Sequence, residues 1–194
     1  MRKLIVHEFI CLDGVVQAPG GQAEDRDGGF AHGGWTVPYW HDDIGAAFFQ
    51  GMQSVDSFLF GRRTYQIHGE AFEPMAPGDP FGDLMNAPKK YVVSRTLKAP
   101  IWRDTTIIRD NVVDAVRSLK AQPGKDILTD GSSQLVPMLL QHDLVDELHL
   151  TLYPLTLGGG KRILPDGLHR RFRLTSAKPY PTGVIGLHYA RQES

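Results

Sequence analysis

Residues 4–12 (LIVHEFICL) are apolar at both parities, with Ile5, Phe9 and Cys11 on one face and Leu4, Val6, Ile10 and Leu12 on the other. A strand buries both faces only where something packs on each, so this run predicts a central strand covered on two sides. The same logic continues along the chain. Residues 57–61 form a second apolar run that ends at Gly61 and enters Arg62-Arg63-Thr64-Tyr65. Residues 90–94 and 105–108 read as strands, followed by Val112, Val113, Val116 and Leu119 at helical spacing. Residues 126–130 pass through Gly131-Ser132-Ser133 into Leu135, Val136, Leu139 and Leu140, a helix entered through small hydroxyl residues. From residue 145 onward only strands are predicted, at 145–153, 172–180 and 184–191. Strand–helix alternation followed by a strand-only tail predicts an α/β fold: a mainly parallel sheet flanked by helices, with antiparallel strands added at one side.

Between these units lie three other segments. Residues 13–38 hold Pro19, Gly20, Gly21, Gly28, Gly29, Gly33, Gly34 and Pro38 among acidic residues, which predicts a long loop at the carboxyl end of the first strand. Asp42 and Asp43 suit a helix start, and Ile44, Ala47, Phe48 and Met52 continue it at helical spacing. Residues 72–88, broken by Pro74, Pro77, Pro80 and Pro88, read as an irregular excursion.

Composition limits the functions open to such a chain. With 194 residues, 41% of them hydrophobic, it has material for one good core. Lys+Arg 21 against Asp+Glu 22 leaves a net charge of -1, which argues against nucleic acid as a partner. Cys11 is the only cysteine, so no intrachain disulfide forms and a reducing compartment, the cytoplasm, is expected. No apolar run approaches the ~18 residues of a membrane helix, so no membrane association is expected. The stripe Leu148, Leu150 and Leu152 fits either core packing or a homodimer surface.

Familiar site patterns are missing: GxGxxG does not follow the first strand, there is no HExxH or GxSxG, and no metal site is expected. Three strand-end turns carry the remaining signal. Gly61-Arg62-Arg63-Thr64 offers backbone donors, a hydroxyl and two guanidiniums suited to phosphate, or equally a solvated helix cap. Ser94-Arg95-Thr96 repeats hydroxyl plus guanidinium. In Asp130-Gly131-Ser132-Ser133, glycine permits close approach of a pyrophosphate to the main chain. Together they match a dinucleotide with an extra ribose phosphate. Asp43, flanked by Trp40 and Phe48, could set a carboxylate beside a flat heterocycle, or simply complement the helix dipole.

These segments resemble the dihydrofolate reductase-like superfamily, in particular stand-alone proteins similar to the reductase domain of the bifunctional riboflavin-biosynthesis deaminase/reductase. The likeness rests on Leu12-Asp13-Gly14-Val15-Val16, Gly61-Arg62-Arg63-Thr64-Tyr65, Tyr91-Val92-Val93-Ser94 and Gly131-Ser132-Ser133-Gln134-Leu135, with LVDEL at 144–148 and LGGGKR at 157–162, in the family's order. It implies one three-layer αβα domain over 1–194 and NADPH bound along the strand ends. Arg62, Arg63, Thr64, Ser94 and Arg95 would lie near the adenosine-side phosphates, with Gly61, Gly131, Ser132, Ser133 and Leu135 beside them. Leu12, Asp13, Gly14 and Val16 would approach the nicotinamide, and Trp40, Asp43 and Phe48 would face the substrate, with Asp43 as the proton source. The expected activity is NADPH-dependent hydride transfer to a small pterin- or pyrimidine-like substrate. The alternative is a non-catalytic nucleotide-binding sensor or assembly module. Direct reduction of the riboflavin precursor would need cations around its distal phosphate, for which Lys161 and Arg162 are the candidates.

Overall fold

The computed structural model describes residues 1–192. Eight strands form one sheet: β1 (Leu4–Cys11), β2 (Val55–Gly61), β3 (Lys89–Val93), β4 (Thr105–Ile108), β5 (Asp126–Asp130), β6 (Glu147–Tyr153), β7 (Phe172–Pro179) and β8 (Ile185–Arg191). Their spatial order is β4-β3-β2-β5-β1-β6-β8-β7. All pairings from β4 to β6 are parallel, and β8 joins β6 and β7 antiparallel. β1 therefore lies inside the sheet between β5 and β6, as its apolar character at both parities requires.

The parity of β1 sorts the two layers. Leu4, Val6 and Ile10 join a core with Val116 and Leu119 of α4 (Val112–Ala121) and with Leu135, Val136, Leu139 and Leu140 of α5 (Leu135–Gln141). Ile5 faces the other way. It packs in a second core with Met52 of α1 (Asp42–Met52), Tyr65 of α2 (Arg62–Phe72) and Met85 of α3 (Pro80–Asn86). Phe58 and Phe60 of β2 share that second core while Leu59 serves the first. Leu148 is buried in the first core, and Leu150 and Leu152 pack against it, so the leucine stripe packs within the chain.

Two sequence expectations need correction. The stretch 72–88 is not irregular throughout, because α3 forms within it. Asp79 Oδ1 accepts the N–H groups of Phe81 (3.0 Å) and Gly82 (2.7 Å), and Pro80 at the first helical position lacks an N–H that would need a partner. The prolines masked a cap-and-start signal. The first strand ends at Cys11 instead of Leu12, and Leu12 is 61% exposed. Residues 13–38 form the expected long connection, with only two short 3-10 turns at Asp27–Gly29 and Val37–Tyr39. Among the described residues no helix is long and apolar enough to cross a membrane.

The tyrosine of the GRRTY segment anchors this architecture. Tyr65 is fully buried, and its hydroxyl oxygen accepts the backbone N–H groups of Ile101 and Trp102, each at 3.0 Å. Thr105 Oγ1 donates to Trp102 O at 2.7 Å, so in the 3.0 Å pair between the two side chains Tyr65 is the donor. One hydroxyl thus satisfies the turn that leads into β4. Tyr65→Phe keeps the ring and strands two amides, which should cost about 2–3 kcal/mol of unfolding free energy in urea titrations. A loss below about 0.5 kcal/mol would show that water replaces the hydroxyl.

Candidate active site

Parallel strands place their carboxyl ends together, and a cavity of about 1020 Å³ opens there. Cross-strand register builds its floor. Asp130 of β5 pairs with His7 of β1, His7 with His149 of β6, and His149 with His188 of β8. Residues in register share a sheet face, so one carboxylate and three imidazoles form a row across four adjacent strands, and all four line the cavity. His68, four residues after Thr64 on α2, adds a fourth imidazole from above.

Asp130 is the centre of this row. Its Oδ1 lies 2.7 Å from His7 Nδ1 and its Oδ2 lies 3.2 Å from His68 Nε2. Burial alone would raise its pKa, but the hydrogen bonds from His68 and His7 overcome that and hold it well below the usual carboxylate range. Burial opposes charge on His68 too, yet the bond to Asp130 raises its pKa. His68 Nδ1 lies 3.0 Å from the carbonyl oxygen of Thr64, which only accepts. Both His68 nitrogens therefore donate, and the ring is an imidazolium paired with the Asp130 carboxylate.

The other two imidazoles are neutral. His149 and His188 stack with centroids 3.8 Å apart and an interplanar angle of 4°. Burial and the neighbouring His188 lower the His149 pKa to about 4, and burial lowers that of His188. His149 Nε2 donates to Glu147 Oε2 at 2.9 Å.

Glu8 reaches the cavity from the opposite face of β1. It is 4% exposed, and its Oε1 has no hydrogen-bond partner among the described residues. Burial, reinforced by the Asp130 charge, pushes its pKa well above the usual carboxylate range.

The predicted residues divide into three groups. Val16, Trp40, Phe48, Arg62, Arg63, Thr64, Gly131, Ser132 and Ser133 line the cavity. Gly61 is the N-cap of α2 and has no side chain to satisfy the first-turn amides, which leaves them as open donors beside Arg62. A Cβ on Gly61 would approach Ser132 Oγ to 3.1 Å; that hydroxyl accepts the Gly61 N–H at 2.8 Å and donates to Thr64 Oγ1 at 3.0 Å. Gly131 has φ +84°, and a Cβ there would meet Thr64 Cγ2 at 3.3 Å. The two turns thus fit against each other at main-chain distance.

A second group supports the walls. Leu135 is buried in the core. Asp13 Oδ2 accepts the N–H groups of Leu157 (3.0 Å) and Gly158 (2.8 Å), and Arg162 Nε donates to Asp13 O at 2.9 Å, so Leu12, Asp13 and Gly14 form a turn tied to the 154–162 segment. Ser94 Oγ accepts from the Thr96 and Leu97 amides. It follows Val93, which pairs with Gly61, so this turn neighbours the α2 N-terminus. Arg95 is 84% exposed, 3.6 Å from Asp110.

Asp43 stands outside the lining. Asp43 sits on the first turn of α1, 56% exposed and 3.6 Å from His41, and is not among the lining residues. Ile44, Ala47 and Phe48 are among the residues that α1 turns toward the cavity. Lys161 and Arg63 line the cavity but are held by the long loop: Lys161 Nζ lies 2.5 Å from Asp25, and Arg63 Nη1 lies 2.5 Å from Asp27. The two cations considered for a distal phosphate, Lys161 and Arg162, thus both have protein partners.

Glu8, His7, Asp130, His68, His149 and His188 escaped the sequence reading as a cluster. The available signal was polar residues inside apolar strands: His7 and Glu8 interrupt a run that is otherwise apolar, and burial there demands a reason. Register, which unites the histidines, cannot be read from one strand.

The family model for the RibD C-terminal domain matches residues 2–185. The chain is 28% identical over 192 residues to the uncharacterized protein YyaP of Bacillus subtilis, covering 97% of this chain and 94% of that one. A pyrimidine reductase-like protein from Corynebacterium diphtheriae superposes with TM-score 0.68 at 14% identity, covering 100% and 93% of the two chains. Dihydrofolate reductase from Enterococcus faecalis complexed with NADP(H) superposes with TM-score 0.64 at 13% identity, covering 98% and 97%.

The raised Glu8 pKa has a measurable consequence. A carboxyl whose folded pKa exceeds its unfolded value binds more protons when folded, so it subtracts stability as pH rises above about 4.5. Glu8→Gln, a neutral isostere, should therefore gain stability over the wild type progressively as pH rises above about 4.5 in thermal unfolding. A difference independent of pH would place an ionised Glu8 in the folded protein. The eight-stranded mixed sheet has the dihydrofolate reductase-like architecture, and the chain belongs to the RibD C-terminal domain family.

Proposed function

We propose that the cavity binds NADPH and that the protein reduces a C=N or C=O bond of a small, flat heterocycle. The observation that carries this reading is a single cavity with two chemically distinct ends. At one end, the uncapped N-terminus of α2, Arg62, the Thr64 hydroxyl and the glycine turn at 131 offer donors to phosphate. At the other end, the imidazole row lies beside Phe48, whose ring centroid is 5.2 Å from that of His7, with Trp40 also in the lining, a setting for a flat ring with polar edges. The volume stands at the top of the ~300–1,000 Å³ usual for small-molecule sites, which suits a dinucleotide beside a second ring. When bound, NADPH supplies the hydride.

The chain's own residues then bind, orient and exclude water. Arg62 forms no ion pair among the described residues and is the free guanidinium of the cavity, whereas Arg63 is engaged by Asp27. The turn carrying Ser94 and Arg95 adjoins the same strand end, in position to take a phosphate on the adenosine ribose. Val16 lines the cavity on the side proposed for the nicotinamide, and the turn of Leu12, Asp13 and Gly14 supports it from behind. Ile44 and Phe48 close the substrate end with apolar surface, which concentrates the polar chemistry on the floor.

The family neighbours support this reading. The dihydrofolate reductase carries NADP(H), and the pyrimidine reductase-like protein shares the fold. Titration with NADPH and NADH, followed by energy transfer from Trp35 and Trp40 to the reduced nicotinamide, tests it. NADPH should bind more tightly than NADH, and Arg62→Ala combined with Arg95→Ala should weaken NADPH by roughly 10- to 100-fold while leaving NADH little changed. Binding of neither nucleotide would refute the reductase reading.

A further inference from the structure

The cavity needs a proton source, since reduction of C=N or C=O adds a hydride to carbon and a proton to the heteroatom. Helix α1, where the sequence suggested an acid, turns only Ile44, Gly45, Ala47, Phe48, Phe49, Gly51 and Met52 inward. The titratable groups come from other elements: Asp130 on β5, His68 on α2, His7 and Glu8 on β1, His149 on β6, His188 on β8, Glu24 and Asp25 on the long loop, Lys161 from the 154–162 segment, and Tyr180 after β7.

Most of these are already committed. His68 uses both nitrogens as donors, to Thr64 O and Asp130 Oδ2. His149 Nε2 donates to Glu147 and its ring stacks on His188. Glu24 Oε2 accepts the amides of Gly20 (2.6 Å) and Gly21 (3.0 Å), and Asp25 is paired with Lys161. Glu8 lies on the other sheet face from the imidazole row.

His7 is different. Asp130 accepts at 2.7 Å from its Nδ1, which fixes Nδ1 as the protonated nitrogen in the neutral ring and leaves the lone pair on Nε2. Nε2 makes no hydrogen bond among the described residues and is not sealed from the cavity. Phe9 and Phe48, both with ring centroids 5.2 Å away, hold the imidazole in place.

We propose that His7 is the proton-donating residue of this site, with Asp130 and His68 positioning it. The inference rests on the reductase reading above. In the balanced step, the C=N or C=O carbon takes the hydride, two electrons and one proton's mass, from NADPH, which leaves as NADP⁺. The π bond opens toward the heteroatom, which takes the proton from Nε2–H of protonated His7. His7 returns to the neutral Nδ1–H form and regains its Nε2 proton from solvent. The Asp130 carboxylate keeps Nδ1–H donated throughout, and the His68 imidazolium keeps Asp130 ionised. Neutral His149 and His188 add no competing charge next to the cation.

Two measurements decide it. The first needs no substrate: ¹⁵N imidazole spectra of the full chain at pH 7 should show His68 protonated on both nitrogens and neutral His7 in the Nδ1–H form, a preference lost in Asp130→Asn. His7 in the Nε2–H form would overturn the proposal while leaving the reductase reading intact. The second follows NADPH consumption with dihydrofolate and with 5-amino-6-(5-phosphoribosylamino)uracil as probes. His7→Gln should lower turnover by roughly 100-fold and leave NADPH affinity within about twofold. Wild-type turnover in His7→Gln would overturn the assignment. Consumption of NADPH with neither probe would remove the reaction the residue serves and overturn it as well, whereas failure to bind NADPH would refute the reductase reading itself.

Discussion

A carboxylate taken out of water at the end of a parallel strand survives as an anion only if donors meet it there, and Asp130 is met by two. His7 comes from the adjacent strand and His68 from the helix packed above, so one side chain ties β5, β1 and α2 together at the mouth of the sheet. Removing one partner would leave a buried charge unbalanced, the costliest kind of defect. The same contacts set the protonation pattern of the cavity: a neutral ion pair in the middle, neutral imidazoles to one side and an open Nε2 facing inward. Structural constraint and chemical poise reside in the same three residues.

Around this point the fold divides labour by sheet face. The α4/α5 side is a plain apolar core, with Leu4, Val6 and Ile10 against two helices. The α1–α3 side is apolar below and beyond a single polar row: Ile5, Phe58 and Phe60 lie on one side of Asp130, His7, His149 and His188, and Phe9, Cys11 and Tyr153 on the other. Because β5, β1 and β6 are parallel and Asp130, His7 and His149 are in register, the polar row falls at one level on all three. β8 meets them there although it runs antiparallel, because its register with β6 brings His188 opposite His149. The cavity is thus a consequence of topology, and its chemistry a consequence of register.

Much of the architecture could be read from local patterns. A run apolar on both faces fixed β1 as internal, and Gly61 and Gly131 marked the strand ends that face the cavity. The Asp79-Pro80 start of α3 was hidden by the surrounding prolines, although capping chemistry accounts for it fully. The anion-binding turns were also legible, because glycine, hydroxyl and guanidinium are contiguous in sequence. The imidazole row was not. His7, His68, His149 and His188 are separated by tens of residues, and only cross-strand pairing with one helical turn above it brings them together. Asp43 illustrates the reverse case: a carboxylate at a helix start has two meanings, and the exposed first turn of α1 supplies it with solvent and His41 as company.

The central claim is that one cavity holds a dinucleotide's phosphates at α2 and its reactive ring over the His7 floor. The most direct measurement is a crystal structure with NADPH bound. The account predicts phosphate density against the amides of residues 62–64 and the Gly131 turn, with the nicotinamide beside Val16 and the substrate space left open between it and His7. Phosphates lodged away from α2, or a nicotinamide directed away from the imidazole row, would contradict it.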